Sequence, residues 1–222
     1  MDALAQNFFN PGVIDQVWRF LLGGLAYTLL LSAIVVPLGI LSGMLLAVAG
    51  NLGARWLRWA LVVYVDFFRA FPPLVLLIFI YFGAPFAGLD LPRLGAVAIA
   101  FTLTTSSYYG EVFRAGIESV SSRQVEAGRS TGLARLQVMR SIVLPQAIRN
   151  MRPDLISNTL EVIKMTSLAS VVAVPELLGN ARQAQALTYN PTPIVIAACI
   201  YLVLLLPVVR LLTLLERRRH AR

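Results

Sequence analysis

Few side chains in this 222-residue chain are equipped to make or break bonds. The sole histidine, His220, stands in the tail, and the sole cysteine, Cys199, stands inside an apolar run. A His-based zinc site or Ser-His dyad within the apolar body is therefore excluded, as are an internal disulfide and a thiolate metal cluster. No G-x-x-x-x-G-K-[ST] phosphate loop occurs, so the chain carries no nucleotide-hydrolysing motif of that kind. What remains is ionic and hydrogen-bonding chemistry in the stretch DLISNTLEVIKMTSLASVVAV, residues 154–174. Ser157, Glu161 and Lys164 fall at i, i+4 and i+7, one stripe of a helix, with Asn158, Thr166 and Ser167 close to it. Two readings are open. Ionisable groups at membrane depth are costly and should face protein or a wet cavity, as along a translocation path. Alternatively, Glu161 and Lys164 form a pair that stitches helices together or snorkels to an interface.

The elements that must position this stripe are membrane helices. The chain is 58% hydrophobic and only 14% charged, with a mean hydropathy of +0.74, far more apolar than a soluble domain of this length requires. It is expected to be an all-α integral membrane protein. A hydrocarbon core of about 30 Å asks for about 20 mostly apolar residues per helix, and the pattern predicts five spans near 25–49, 70–88, 94–112, 155–174 and 193–215. Residues 1–24 form an external segment in this division, 25–215 the transmembrane domain and 216–222 a basic tail. The N-terminus lacks a basic region followed by a short apolar core and small cleavage residues, so no removable signal peptide is expected.

The net charge of +8 would suggest nucleic acid in a soluble chain, but topology accounts for it. Arg55 and Arg58 lie in the first loop, a cluster of arginines lies between Arg114 and Arg152, and Arg217, Arg218, Arg219 and Arg222 lie in the tail. Arg19, Arg93 and Arg182 fall on the other side. The positive-inside rule then puts the N-terminus outside, the C-terminus in the cytoplasm and loop 113–152 in the cytoplasm.

Smaller signals accompany the spans. Gly39 and Gly43 have the GxxxG spacing of a close helix contact. Trp56, Trp59 and Tyr64, among Arg55 and Arg58, suit a helix at the cytoplasmic interface. FRAFPPL, with Pro72 and Pro73, is either a built-in bend or an ordinary loop-to-helix junction. The outside stretch PELLGNARQAQALTYNPTP is a connector or a surface that another protein touches.

The most polar long segment is EAGRSTGLARLQVMRSIVLP, residues 126–145, in the cytoplasmic loop. Ser121 followed by Gln124 fits a capping box, and Gly132 can end the helix in the left-handed conformation. The resulting helix has about ten residues and is about 15 Å long. Gly128 and Gly132 would leave room for a partner to approach closely. A second helix over 133–144 should stop at Pro145. On these residues alone, a carrier that does not use ATP and a membrane scaffold with a partner-binding loop both remain open.

The spacing Glu126, Ala127, Gly128, three residues, Gly132, nine residues, then Ile142, Val143, Leu144 and Pro145 resembles the EAA motif of the membrane subunits of binding-protein-dependent ABC importers. The usual third alanine is Gly128, which keeps the position small. YYGEVFRAGIESV before the loop, LPQAIRNMRP after it and KMTSL at residues 164–168 resemble the polar amino acid permeases of the histidine and glutamine type. That branch often has Asp where this chain has Met165, and FRAFPPL matches its RGTPL element imperfectly. The resemblance extends from about Gly24 to Leu215.

The resemblance implies a permease subunit forming half of a translocation path in a bacterial inner membrane. It implies a second permease subunit, identical or homologous, two ATP-binding subunits and an external amino-acid-binding protein. The chain itself would bind no cofactor; ATP and Mg would be used by the partner ATPase. Glu126, Ala127, Gly128 and Gly132 match the positions that couple to that ATPase. Glu161, Lys164, Thr166 and Ser167 become the candidates for the substrate path, Lys164 for a substrate carboxylate and Glu161 for an amino group.

Overall fold

A computed structural model describes residues 7–220, with side chains through Arg210. Residues 1–6 and 221–222 lie outside the described residues, and so do the start of the expected external segment, Arg222 and the side chains of the basic tail. The elements are α1 (Pro11–Leu52), α2 (Arg55–Ala70), α3 (Pro73–Gly83) with a 3-10 turn at Ala84–Ala87, and α4 (Arg93–Glu118). They continue as α5 (Ser122–Ser130), α6 (Arg135–Val138), a π turn (Met139–Val143), α7 (Leu144–Asn150) and α8 (Arg152–Met165). A 3-10 segment (Thr166–Val172), α9 (Leu177–Thr188) and α10 (Thr192–His220) complete the chain. The described residues are thus all helical in their regular structure, as expected.

Among the described residues, three helices are both long and apolar enough to cross a membrane: Pro11–Leu52, Arg152–Val172 and Thr192–Arg210. The pair Arg55–Ala70 and Pro73–Ala87, bent by 98°, makes a fourth if it is one broken span. The third expected span is covered by α4, whose 26 residues suffice in length but whose polar run from Thr102 to Ser107 lowers its hydropathy.

Helix α1 starts well before the expected residue 25. Asn10 Oδ1 accepts the N–H groups of Gly12 at 3.0 Å and Val13 at 3.3 Å, and Pro11 occupies the first helical position. An Asn cap followed by proline is a strong start signal, because the side chain satisfies free N–H groups and the ring presets φ. The expected external segment is therefore largely helix, and α1 runs for 42 residues. At about 1.5 Å per residue it exceeds the hydrocarbon thickness roughly twofold.

The bend at FRAFPPL is real. Phe71 is extended (φ −82°, ψ 125°), as a residue preceding proline prefers, and α3 restarts with Pro73 at its head. On α2, Trp56 and Trp59 are 73% and 65% exposed, and no residue of that helix is buried, which fits an interfacial surface.

The chain forms two compact units. One comprises the residues up to Ile34, Leu77–Ala98 and those from Leu160 onward. Its core joins Val17 and Leu21 of α1, Leu177, Ala181 and Ala184 of α9, and Ala197 of α10. The other comprises Val35–Leu76 and Ile99–Thr159. In it the GxxxG pair is a packing device. A Cβ on Gly39 would stand 2.5 Å from Thr105 Oγ1, and one on Gly43 would stand 2.7 Å from Gly110 N. Most of the polar run of α4 is buried here; Ser106 Oγ pairs with the Tyr64 hydroxyl of α2 at 2.8 Å, and the Thr102 hydroxyl has no hydrogen-bond partner. Thr104 donates to the Ala100 carbonyl at 3.1 Å and Ser107 to that of Thr104 at 2.7 Å, so hydroxyls fold back on their own helix.

Candidate functional site

The candidates in loop 113–152 divide by face. Within α5, Glu126 and Ala127 are exposed, whereas Gly128 is buried. A Cβ on Gly128 would lie 2.6 Å from Ile142 Cδ1 and 3.2 Å from Val138 Cγ2. Gly128 therefore makes room for the next helical stretch of its own loop, not for a partner surface, which corrects the expectation for that residue. Spacing identified the position as small; only packing shows which neighbour it admits. Gly132 differs, with φ +88°, an exposed surface and nothing within 4 Å of the Cβ position. Its left-handed turn, as expected, follows the end of α5, where the Gly132 N–H donates to the Arg129 carbonyl at 3.1 Å.

Two other local expectations are revised. Ser121 does precede α5, but its hydroxyl makes no capping bond, and the turn is instead closed by Gln124 N–H on the Ser121 carbonyl at 3.0 Å. At the start of α6, Gln137 supplies the reaching-back contact, its Oε1 accepting the Ala134 N–H at 2.7 Å. Pro145 does not stop the second helix. A π turn at Met139–Val143 widens the ladder, and Pro145 sits in the first turn of α7, where a missing N–H costs nothing.

The loop is closed at its base. Asn150 Nδ2 donates to Ser119 Oγ at 2.9 Å, and Ser119 donates to the Gly116 carbonyl at 2.7 Å. Gly116 faces Met151 so closely that a Cβ there would be 2.8 Å from Sδ. Both ends of the segment are thus tied to each other.

Just before the loop, Arg114 grips two carboxylates. It binds both oxygens of Glu111, at 2.5 and 2.9 Å, and both of Glu118 at 2.7 Å. These partners hold its guanidinium pKa further above the ordinary arginine value, with the Glu111 bond the largest cause. Arg69, from FRAFPPL, approaches Glu111 Oε1 at 3.9 Å. With Arg58 and Asp66 these groups line a cavity of about 500 Å³. Sequence reading treated these residues only as parts of motifs. The i, i+3 and i, i+4 spacing of Glu111, Arg114 and Glu118 was the available signal.

The second set of candidates is split by a break in the helix. Helix α8 ends at Met165 and a 3-10 segment takes over at Thr166. Before the break, Lys164 Nζ and Glu161 Oε1 pair at 2.6 Å, with side chains 51% and 66% exposed. After it, Thr166 is fully buried and donates to the Ile163 carbonyl at 2.6 Å, while Ser167 donates to that of Lys164 at 2.8 Å. Lys164 and Ser167 open on a groove of about 510 Å³, whose other walls include Leu178, Ala197, Ala198, Tyr201 and Leu202. Glu161 and Thr166 do not line it. The geometry offers an ammonium and a hydroxyl to an anionic or zwitterionic ligand, beside apolar walls.

A family model for binding-protein-dependent transport system inner membrane components matches residues 16–221. The chain is 37% identical over 177 residues to the "Probable amino-acid ABC transporter permease protein YckA" of Bacillus subtilis, covering 80% of this chain and 78% of the relative. It is 35% identical to the "Probable glutamine ABC transporter permease protein GlnM" of the same organism, covering 94% and 97%. Among solved structures, an amino acid ABC transporter crystallised with histidines superposes with a TM-score of 0.83 at 32% identity, over 92% of this chain and 96% of that one. The MetNI methionine ABC transporter shares the fold, with a TM-score of 0.74 at 17% identity over 90% and 98%.

Proposed function

We propose, given that this chain belongs to the family of binding-protein-dependent transport system inner membrane components and is a permease subunit of an ABC transporter, that it imports polar amino acids. In this reading it sits in a bacterial inner membrane with its N-terminus outside, and crosses five times, α4 serving as the third span. Two permease subunits enclose the path, two ATPase subunits dock on the cytoplasmic loops, and an external binding protein delivers the amino acid. ATP and Mg act on the ATPase subunits, and the spans rock as rigid bodies about a central site.

The observation that carries the reading is the tied loop. Its short helix turns Glu126 and Ala127 outward, packs Gly128 inward and ends at an unobstructed Gly132. Such a helix can enter a groove on a partner and pass that partner's motion to α4 and α8. In the path, Lys164 pairs with a substrate carboxylate and Glu161 with an amino group once their mutual pair opens, Ser167 adding a hydroxyl. Thr166 supports that turn from its buried position.

The test is co-purification with co-expressed neighbouring genes, followed by ATP hydrolysis with the external protein loaded with acidic, basic and neutral amino acids. Stimulation by a loaded binding protein, abolished by Gly132→Trp, is the expected result. Transport that needs no ATPase would favour the carrier reading instead.

A further inference from the structure

Helix α9 starts on a carboxylate with no route to water. Glu176 is fully buried; its Oε1 accepts the Gly179 N–H at 2.6 Å, and its Oε2 accepts the Leu178 N–H at 2.8 Å and the Tyr201 hydroxyl at 3.2 Å. Burial pushes its carboxyl pKa up, while the two N–H groups and the phenol draw it down. The same turn is fastened to α1. The Leu177 N–H donates to Thr28 Oγ1 at 3.2 Å, Asn180 Nδ2 donates to the Phe20 carbonyl at 2.8 Å, and a Cβ on Gly24 would stand 2.9 Å from Leu177 Cα. The start of α9 therefore cannot shift without disturbing α1 and α10.

Within this knot Tyr201 has a second membership. Its side chain lines the groove on which Lys164 and Ser167 open, while its hydroxyl donates to Glu176 Oε2 at the cap of α9. Thr166 is the first residue of the 3-10 segment that follows Lys164. Leu178, which gives its N–H to Glu176, lines the groove too. A single side chain thus joins the cap of α9 to the wall of the groove beside Lys164.

We propose that Tyr201 is a positioning residue for transport, whose hydroxyl ties the cap of α9 to the wall of the groove beside Lys164, so that displacement of α9 reshapes that groove. This rests on the import reading, in which α9 lies outside and is reached by the loaded binding protein. The physical requirement is a shared hydrogen-bond centre. Moving α9 changes the Glu176 acceptor, and the phenol must follow it or lose it, altering the groove wall that Tyr201 forms.

The experiment uses the assembled complex in vesicles of phosphatidylethanolamine and phosphatidylglycerol, with binding protein loaded in parallel with L-glutamine, L-arginine or L-glutamate. Tyr201→Phe keeps the ring and removes the hydroxyl. The expected result is a drop of about fivefold in the ratio of stimulated to unstimulated ATP hydrolysis, the scale of one lost hydrogen bond. The binding-protein concentration for half-stimulation should stay within about twofold, because the docking surface is untouched. An unchanged ratio overturns the proposal, and so does a shifted half-stimulation concentration at an unchanged maximal ratio. In a double-mutant cycle with Glu176→Gln, the double variant should lose no more than the worse single one, whereas additive losses overturn the link. If Glu176→Gln fails to assemble, the Tyr201→Phe ratio decides. Absence of stimulation in the unsubstituted complex by every loaded binding protein would overturn the import reading itself, and would appear before any variant is made.

Discussion

The loop at residues 113–152 and the groove beside Lys164 both present polar residues on short helical pieces, yet they are built differently. In the loop, the helix faces are sorted by size. A buried glycine lets α5 lie on Val138 and Ile142, and charged or small residues face outward. In the groove, residues are sorted by a change of helix type. The α-helical end carries an exposed Glu161–Lys164 pair, and the 3-10 segment turns Thr166 inward and keeps Ser167 at the wall. On the proposed reading, a docking element must be stiff and of fixed shape, whereas a transport site must let its charges exchange partners. Packing supplies the first, and an exposed ion pair worth about 1 kcal/mol or less supplies the second.

The largest effect is expected at Gly132. Gly132→Trp should abolish ligand-stimulated ATP hydrolysis and uptake, because bulk enters the open space at the end of α5 and a side chain at φ +88° is strained. Gly132→Ala separates the two causes: it carries only the left-handed strain of about 1–2 kcal/mol and should retain most coupling. Stimulation surviving Gly132→Trp would place the docking surface elsewhere.

Next is the groove. Lys164→Ala should reduce uptake at least tenfold, on the order of the loss of one charge-assisted contact, and Glu161→Ala less, since Glu161 does not line the groove. Radiolabelled amino acid uptake in reconstituted vesicles measures both. If neither substitution changes uptake or ligand preference, the pair is structural and the contrast with the loop disappears.

Gly43→Ala tests the scaffold behind the loop. Its Cβ would meet backbone, Gly110 N at 2.7 Å, so α1 and α4 must separate, and a loss of about 1–3 kcal/mol should appear as a lower unfolding midpoint in detergent. Coupling per assembled complex should persist.

The smallest effect belongs to Gly128→Ala, which restores the residue usual in the resembled motif. The new methyl meets the mobile end of Ile142, and the gain in helix propensity of about 1 kcal/mol offsets the adjustment. Thermal stability and stimulation should change little. Gly128→Leu, which cannot be accommodated by one rotamer, should detach α5 and lose coupling without altering ligand binding.

Much of this was legible in the chain itself. Apolar runs announced membrane helices, FRAFPPL offered a bend as one of two readings and Gly132 announced a left-handed helix end, because each follows from local chemistry. The early start of α1 was legible too, in Asn10 and Pro11, since an Asn cap before proline is a local signal. Other features were not. Pro145 looks like a terminator until a π turn upstream absorbs it, and Ser121 looks like a cap until the backbone closes that turn instead.

Sequence by itself determined the class of molecule, the spacing of the loop motif and the identity of the few ionisable groups beside the groove. Tertiary structure alone decided that Gly128 faces its own loop, that Asn150 and Ser119 tie that loop shut, and that Tyr201 stands between Glu176 and the Lys164 groove. The reason is physical. Propensity, capping and hydropathy act between residues a few positions apart, whereas these contacts join segments whose meeting depends on how the helices pack.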